Sequence, residues 1–187
     1  MKIGVTGVIP LGTTGESPTI DDEEADRLVE RTVATVAGRV PIVVGVGSND
    51  TRKVVKAVKR LQRHPVQGIL SVCPYYNRPS QDGMREHFTR IAEATDRPIL
   101  IYNIPYRTGV NLTNETLLRL AEIPNIAGVK DSSRSMVKKA GLANWHALRW
   151  ASKRARLSGV KRTNSPWRSY ARSMPTSSKA SRMAPTQ

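Results

Sequence analysis

The sequence predicts an α/β fold in which short parallel strands alternate with amphipathic helices. Five apolar runs rich in β-branched and small residues begin about 30 residues apart, the length of one strand–helix unit. No hairpin signal separates these runs, so a doubly wound sheet or a barrel is expected. The predicted strands are Gly4–Leu11, Pro41–Gly47, Gly68–Val72, Pro98–Tyr102 and Ile126–Lys130.

Four helices are predicted between these strands, because apolar residues recur there with helical spacing and turn residues precede them. Thr19 and Asp22 predict a capping box for the first helix. Ser48 or Asn49 is expected to cap the second helix, and Thr113 the fourth. The predicted helices cover Ile20–Ala37, Asp50–Arg63, Gln81–Ala94 and Asn114–Glu122.

The charge of the chain is concentrated near one end. The formal net charge is +15, yet residues 132–187 contain 13 Lys and Arg without any Asp or Glu, so residues 1–131 are nearly balanced. This predicts a globular domain over residues 1–133 and a basic low-complexity tail, disordered or helical, over residues 134–187. Non-specific nucleic-acid binding through the tail is therefore an alternative function of a different class.

Cysteine usage and hydropathy restrict the class of protein further. Cys73 is the only cysteine, which excludes an intrachain disulfide or a cysteine zinc cluster and fits a reducing compartment. The sequence shows no signal-peptide pattern and no apolar run of the roughly 20 residues that span a membrane. A cytoplasmic location and no membrane partner are expected. His64 and His87 lack metal-ligand spacing and are expected at helix surfaces or ends.

Four segments with candidate functional residues follow predicted strands, whose carboxyl ends should meet at one edge of the sheet. The first is GTTGES at Gly12–Ser17, a glycine turn whose N–H groups could hold a small anion, although an ordinary turn is the alternative. The second is CPYYNRPS at Cys73–Ser80. Its adjacent tyrosines cannot both be core residues, so one is expected at a site or an interface.

The other two segments contribute a phenol, a guanidinium and an amine. Tyr102 ends a buried strand, so its hydroxyl needs a polar partner at the rim of the sheet. Arg107 presents a fork of donors suited to a carboxylate, with a surface ion pair as the alternative. Lys130 ends the apolar run IAGV and is a candidate Schiff-base nucleophile, although most such lysines turn outward to solvent. Together the four segments predict an imine-forming keto-acid enzyme.

The motifs GTTGES, PYYNRPSQ, YNIPYRTG and GVKD, in this order, resemble the dihydrodipicolinate synthase family of pyruvate-dependent class I aldolases, whose superfamily includes N-acetylneuraminate lyase. The resemblance covers about residues 4–131. Tyr102 and Lys130 stand 28 residues apart, as the family pattern expects. The resemblance implies a partial (β/α)8 barrel comprising about strands 2–6 of the eight. Another pyruvate-dependent aldolase of the same superfamily is the alternative activity.

The resemblance also implies roles for individual residues. Lys130 would form the Schiff base with pyruvate, and Tyr102 would act as the proton relay at that imine. Thr13 would join Tyr102 by a hydrogen bond to Tyr76 of a neighbouring subunit. The implied assembly is a homotetramer.

The implied reaction condenses pyruvate with aspartate-4-semialdehyde to give 4-hydroxy-tetrahydrodipicolinate, on the route to diaminopimelate and lysine. Thr13 and Thr14 would hold the carboxylate of pyruvate, and Arg107 the carboxylate of the semialdehyde. No metal or organic cofactor is implied, because the lysine imine is the electron sink.

The sequence departs from the family pattern after residue 133, where nothing resembles the family's last two strands. Five strands would leave two open edges and an apolar inner face in contact with water. The resemblance therefore predicts ancestry and leaves the activity of this chain open. The acid-free tail over residues 134–187 leads to the hypothesis of a frameshifted gene product, which resequencing of the encoding DNA would test.

Overall fold

A computed structural model describes residues 4–133 and shows one parallel sheet covered on one side by helices. Four strands lie in the order β1-β2-β3-β4, each paired in parallel with the next. The bounds are β1 Val43–Val46, β2 Gly68–Val72, β3 Ile99–Asn103 and β4 Ile126–Asp131. The predicted basic tail, residues 134–187, lies outside the described residues.

Five α-helices precede, connect or follow these strands in residues 4–133, and the four predicted ones are confirmed to within two residues at each end. The fifth, α4, was not predicted. It is a single turn that begins at Pro105 and ends before Gly109, whose φ of 75° is the left-handed conformation that closes a helix. The bounds are α1 Asp22–Val36, α2 Thr51–Leu61, α3 Gln81–Glu93, α4 Pro105–Thr108 and α5 Asn114–Ala121.

The first capping box is formed by residues other than those predicted. Asp21 caps α1: the Glu24 N–H donates to its carboxylate at 2.8 Å, and the Asp21 N–H donates to the Glu24 carboxylate at 3.0 Å. Thr19 cannot take this role because it ends a 3₁₀ turn, where its hydroxyl donates to the carbonyl of Glu16. Asp50 caps α2, which corrects the expectation of Ser48 or Asn49 as the cap. The hydrogen bond from the Arg52 backbone N–H lowers the pKa of the Asp50 carboxyl group.

The predicted first strand, Gly4–Leu11, is wrong as a strand and forms a single parallel bridge between Val8 and Ile42. The Val8 N–H donates to the carbonyl of Pro41, and the Val8 carbonyl accepts from the Val43 N–H. The carbonyl of Pro10 accepts one more hydrogen bond, from the Gly45 N–H. Proline has no N–H to donate back, and Leu11 has a φ of 58°, so regular pairing ends there.

The two faces of the sheet differ in burial. One face packs against the helices and forms the core, with Phe88, Ile99 and Leu117 fully buried. On the other face, Leu100 and Tyr102 alternate with the buried residues of β3 and are only half-buried. This second face corresponds to the inner surface of a barrel. Within residues 4–133, no helix is long and apolar enough to cross a membrane.

His87 lies in the core between α2 and α3, which corrects the expectation of a helix-surface position. It is 3% exposed, its Nδ1 lies 2.8 Å from the hydroxyl of Thr51, and its ring meets Phe88 edge to face. Its Nε2 is buried without a hydrogen-bond partner. Burial lowers the pKa of His87 to about 4, because a charged imidazolium would be poorly solvated there.

Gly45 allows the glycine turn before α1 to lie directly on β1. A methyl group added at Gly45 would overlap the backbone carbonyl of Leu11, and backbone cannot move aside as a flexible side chain can. Gly45→Ala is therefore expected to lower the free energy of unfolding by about 2 kcal/mol, the usual scale of overpacking. Urea unfolding followed by circular dichroism measures this. Gly15→Ala, where the added methyl meets nothing within 4 Å, is the matched control and should change stability far less.

Candidate active site

The inner face of the sheet opens at its carboxyl edge into a cavity of about 550 Å³. Thr13, Tyr102 and Lys130, predicted from three separate segments, all line this cavity. They meet because Tyr102 and Lys130 lie near the carboxyl ends of parallel strands, and Thr13 follows the segment that bridges to β1 in parallel. Tyr75 also lines the cavity, and the remaining wall is mainly apolar or glycine, including Leu11, Gly45, Gly47, Leu70 and Val72.

Tyr102 and Lys130 are direct neighbours across β3 and β4. The strand register pairs them, so their side chains leave the sheet on the same face. The Nζ atom of Lys130 lies 3.8 Å from the centroid of the Tyr102 ring, within the distance of a cation–π contact. Tyr102 is half-buried, whereas the Lys130 side chain is exposed. An amine and a phenol therefore share one side of the cavity, with the amine open to an entering ligand.

Thr13 begins a 3₁₀ turn over Thr13–Gly15 at the mouth of the cavity. The N–H of Gly15 donates to Gly12 and that of Glu16 to Thr13, so these two donors are used within the turn. Thr13 and Tyr102 line the cavity without a direct hydrogen bond between their described side chains. The side chain of Thr14 lies outside the described part of the chain.

The two adjacent tyrosines point to different surroundings. Tyr75 is half-buried at the cavity, and Tyr76 is 87% exposed away from it. Tyr76 has a φ of 72° and Arg78 a φ of 47°, so the loop is held in a conformation that non-glycine residues seldom adopt. The N–H of Tyr76 donates to the carbonyl of Thr108, which anchors the loop to α4. An exposed tyrosine on an anchored loop suits a contact with another molecule.

Arg107 lies on α4 and is exposed outside the lining of the cavity. Its guanidinium carbon is 5.6 Å from the centroid of the neighbouring Tyr106 ring. Across residues 4–133 its side chain forms no ion pair, which had been the alternative interpretation. The guanidinium therefore remains available to an anionic ligand approaching this edge of the sheet.

Asn103, at the end of β3, was not among the predicted site residues. It is fully buried on the face opposite Tyr102. Its side-chain amide donates to Asn111 at 3.0 Å and to Asp131 at 2.7 Å, and its carbonyl oxygen accepts from the Leu112 N–H at 3.1 Å. The sequence signal was present, because a polar side chain at a buried strand position requires partners.

The fold and this site define an α/β protein of the parallel-barrel class with its candidate site at the carboxyl ends of the strands. Among the residues described, no group of His, Cys, Asp and Glu is arranged to hold a metal ion. The sequence pattern of the dihydrodipicolinate synthetase family matches residues 1–148. The chain belongs to that family, and its partial TIM-barrel fold agrees with the family's solved structures.

Relatives of the chain carry consistent names. This chain is 53% identical over 131 residues to 4-hydroxy-tetrahydrodipicolinate synthase 2 of Clostridium acetobutylicum. The matched residues are 70% of this chain and 46% of the relative. The dihydrodipicolinate synthase of Thermotoga maritima superposes with a TM-score of 0.74 at 40% identity, covering 79% of this chain and 50% of that one. The dihydrodipicolinate synthase of Acinetobacter baumannii, solved as a complex with pyruvate, superposes with a TM-score of 0.73 at 39% sequence identity. The match covers 76% of this chain and 49% of that one. The chain spans about half the length of the curated relatives it matches.

Proposed function

We propose that this chain forms a Schiff base between Lys130 and pyruvate, the first step of the condensation with aspartate-4-semialdehyde that gives 4-hydroxy-tetrahydrodipicolinate. The observation that carries the proposal is the Lys130 amine 3.8 Å from the Tyr102 ring, on a cavity that Thr13 also lines. The Acinetobacter baumannii relative was solved with pyruvate bound, which supports the same ligand here.

The chemistry proposed for the cavity uses an amine, a phenol and two threonines. The neutral amine of Lys130 attacks the keto carbon of pyruvate, and the keto oxygen leaves as water after accepting two protons. Tyr102 is proposed to relay protons at this carbon, because its ring is adjacent to the amine. Thr13 and Thr14, in the turn at the cavity mouth, are proposed to hold the pyruvate carboxylate. The imine then stabilises the carbanion that attacks the second substrate, so no further cofactor is proposed.

The second substrate and the assembly belong to the same proposal. Arg107 is proposed to bind the carboxylate of aspartate-4-semialdehyde, since its guanidinium is exposed at this edge. Tyr76, exposed on its anchored loop, is proposed to reach the site of a neighbouring subunit in a homo-oligomer. Residues 1–133 are proposed as the aldolase domain and residues 134–187 as a separate basic segment, in a cytoplasmic protein. The family match favours this function over nucleic-acid binding through the tail.

Reductive trapping tests the proposal. Incubation of the full chain with pyruvate and borohydride should leave a 1-carboxyethyl group on the protein, detected as a mass increase of the intact chain. Lys130→Arg keeps the charge and should abolish the adduct, because a guanidinium does not form this imine. Lys53→Arg changes an exposed lysine of α2 in the same way and should leave the adduct intact. A folded parent chain without an adduct would refute the proposed function.

A further inference from the structure

Asn103 connects three segments at the carboxyl edge of the sheet. The two hydrogens of its amide go to Asn111 and Asp131, and its oxygen accepts from Leu112. The thiol of Cys73, at the end of β2, lies 3.9 Å from the same oxygen. One fully buried side chain thus joins the ends of β2 and β4 and the segment before α5.

The hydrogen bonds of Asn103 close the loop that holds Arg107. The loop over residues 104–111 leaves β3 at Asn103 and returns to the same side chain through Asn111 and Leu112. Short connections between fixed points have few alternative conformations. Asn103 therefore fixes both ends of the loop that contains α4.

The bond to Asp131 holds the residue that follows Lys130 in β4. Asn103 faces Asp131 in the strand register, one residue beyond the pair of Tyr102 and Lys130. The backbone carbonyl of Asn103 also accepts from the Ser132 N–H at 2.8 Å, so side chain and backbone both hold the end of β4. β4 is an outer strand of the described sheet, and its last residues depend on β3 for their position.

We propose that Asn103 is a positioning residue: its hydrogen bonds to Asp131 and to the 111–112 segment hold Lys130 over the Tyr102 ring. Its effect on imine formation rests on the proposed function, whereas its effect on the position of Lys130 does not. A shift of about 1 Å in a reacting group can cost on the order of 100-fold in rate.

The variant Asn103→Asp keeps the size of the side chain while it removes both donors. It also places a second carboxylate within hydrogen-bond distance of Asp131, so the two groups repel. The double variant Asn103→Asp/Asp131→Asn exchanges the two groups and restores a donor opposite an acceptor. The Asn111 amide can rotate to donate instead of accept, and the Leu112 N–H keeps its acceptor. The exchange should therefore recover the hydrogen bond between positions 103 and 131.

NMR of the full chain carrying ¹³C-labelled lysine reads the position of Lys130 without any substrate. A methylene group above an aromatic ring resonates upfield, so the ε-CH₂ signal of Lys130, assigned with Lys130→Arg, should be shifted upfield in the parent. Tyr102→Leu, which removes the ring, defines the unshifted value. We expect Asn103→Asp to move the signal to that value and the exchanged double variant to restore it. An upfield signal retained in Asn103→Asp would overturn the inference.

Two further measurements distinguish a failure of the positioning role from a failure of the proposed function. Asp131→Ala removes the acceptor of Asn103, together with the two hydrogen bonds that Ser133 donates to the same carboxylate. It is the second variant should Asn103→Asp not fold by circular dichroism, and an unchanged Lys130 signal in it would also overturn the inference. The rate of pyruvate trapping should fall on the order of 100-fold in Asn103→Asp and recover in the double variant. A parent that shows the upfield signal but traps no pyruvate would refute the proposed function and leave the positioning role in place.

Discussion

Replacing Tyr102 by phenylalanine is expected to slow the trapping of pyruvate on Lys130 by about 100-fold or more, the scale of general acid–base catalysis. The substitution removes one oxygen and keeps the ring, whose centroid lies 3.8 Å from the Lys130 amine. The cation–π contact and the packing of β3 are therefore retained, and the loss reports on the hydroxyl as a proton donor. The rate of adduct formation at limiting borohydride, measured by mass spectrometry, is the readout.

Tyr106→Phe is the matched control, because Tyr106 is 69% exposed on α4 and does not line the cavity. Its trapping rate should remain within about twofold of the parent, since exposed substitutions away from a site have small effects. Equal rates for Tyr102→Phe and the parent would exclude Tyr102 as the proton relay and leave its ring with a packing role only.

Acidification is expected to destabilise the fold through His87. The pKa of this imidazole is 6.5 in a free reference state and about 4 in the folded chain, where burial disfavours the charged form. Between these values the unfolded chain binds a proton that the folded chain does not, so the free energy of unfolding falls as the pH falls. The loss amounts to about 3 kcal/mol over the whole window and is absent above it.

Urea unfolding near pH 7 and about pH 5 measures most of this effect, with an expected contribution from His87 of about 2 kcal/mol. The variant His87→Gln cannot titrate, so the pH dependence of its stability should be smaller than that of the parent by this amount. Carboxyl groups titrate in both proteins and cancel in the difference. The same pH dependence in parent and variant would show that His87 becomes protonated without loss of the fold.

Much of the architecture follows from local sequence patterns. β2 matches its prediction residue for residue, because a run of buried apolar residues between turns has one favourable arrangement. The segment Gly4–Leu11 is also apolar, but it lacks a regular ladder of hydrogen bonds. Pro10 has no N–H to donate, and the positive φ of Leu11 turns the chain away. The short helix α4 escaped prediction because a four-residue turn offers no apolar period to detect.

The candidate site was predictable where its residues follow or lie near the carboxyl end of a predicted strand, as Thr13, Tyr102 and Lys130 do. Tyr102 and Lys130 are the last residues of their predicted strands and the penultimate residues of β3 and β4, so the sequence placed them correctly at one edge. The partners of Asn103 come from a loop and from β4, and their approach depends on the strand register. His87 was mistaken for a surface residue, although it stands three residues after Met84 and four before Ile91, both buried. That spacing marks the inward face of a helix.

Peptide mapping of the trapped adduct shows whether Lys130 is the nucleophile of a pyruvate site. Digestion of the full chain after treatment with pyruvate and borohydride separates the peptide that contains Lys130 from those of the other lysines. We expect the 1-carboxyethyl group on Lys130 at pyruvate concentrations that leave the exposed lysines Lys53, Lys56 and Lys59 unmodified. An adduct spread over these exposed lysines, with no preference for Lys130, would contradict it.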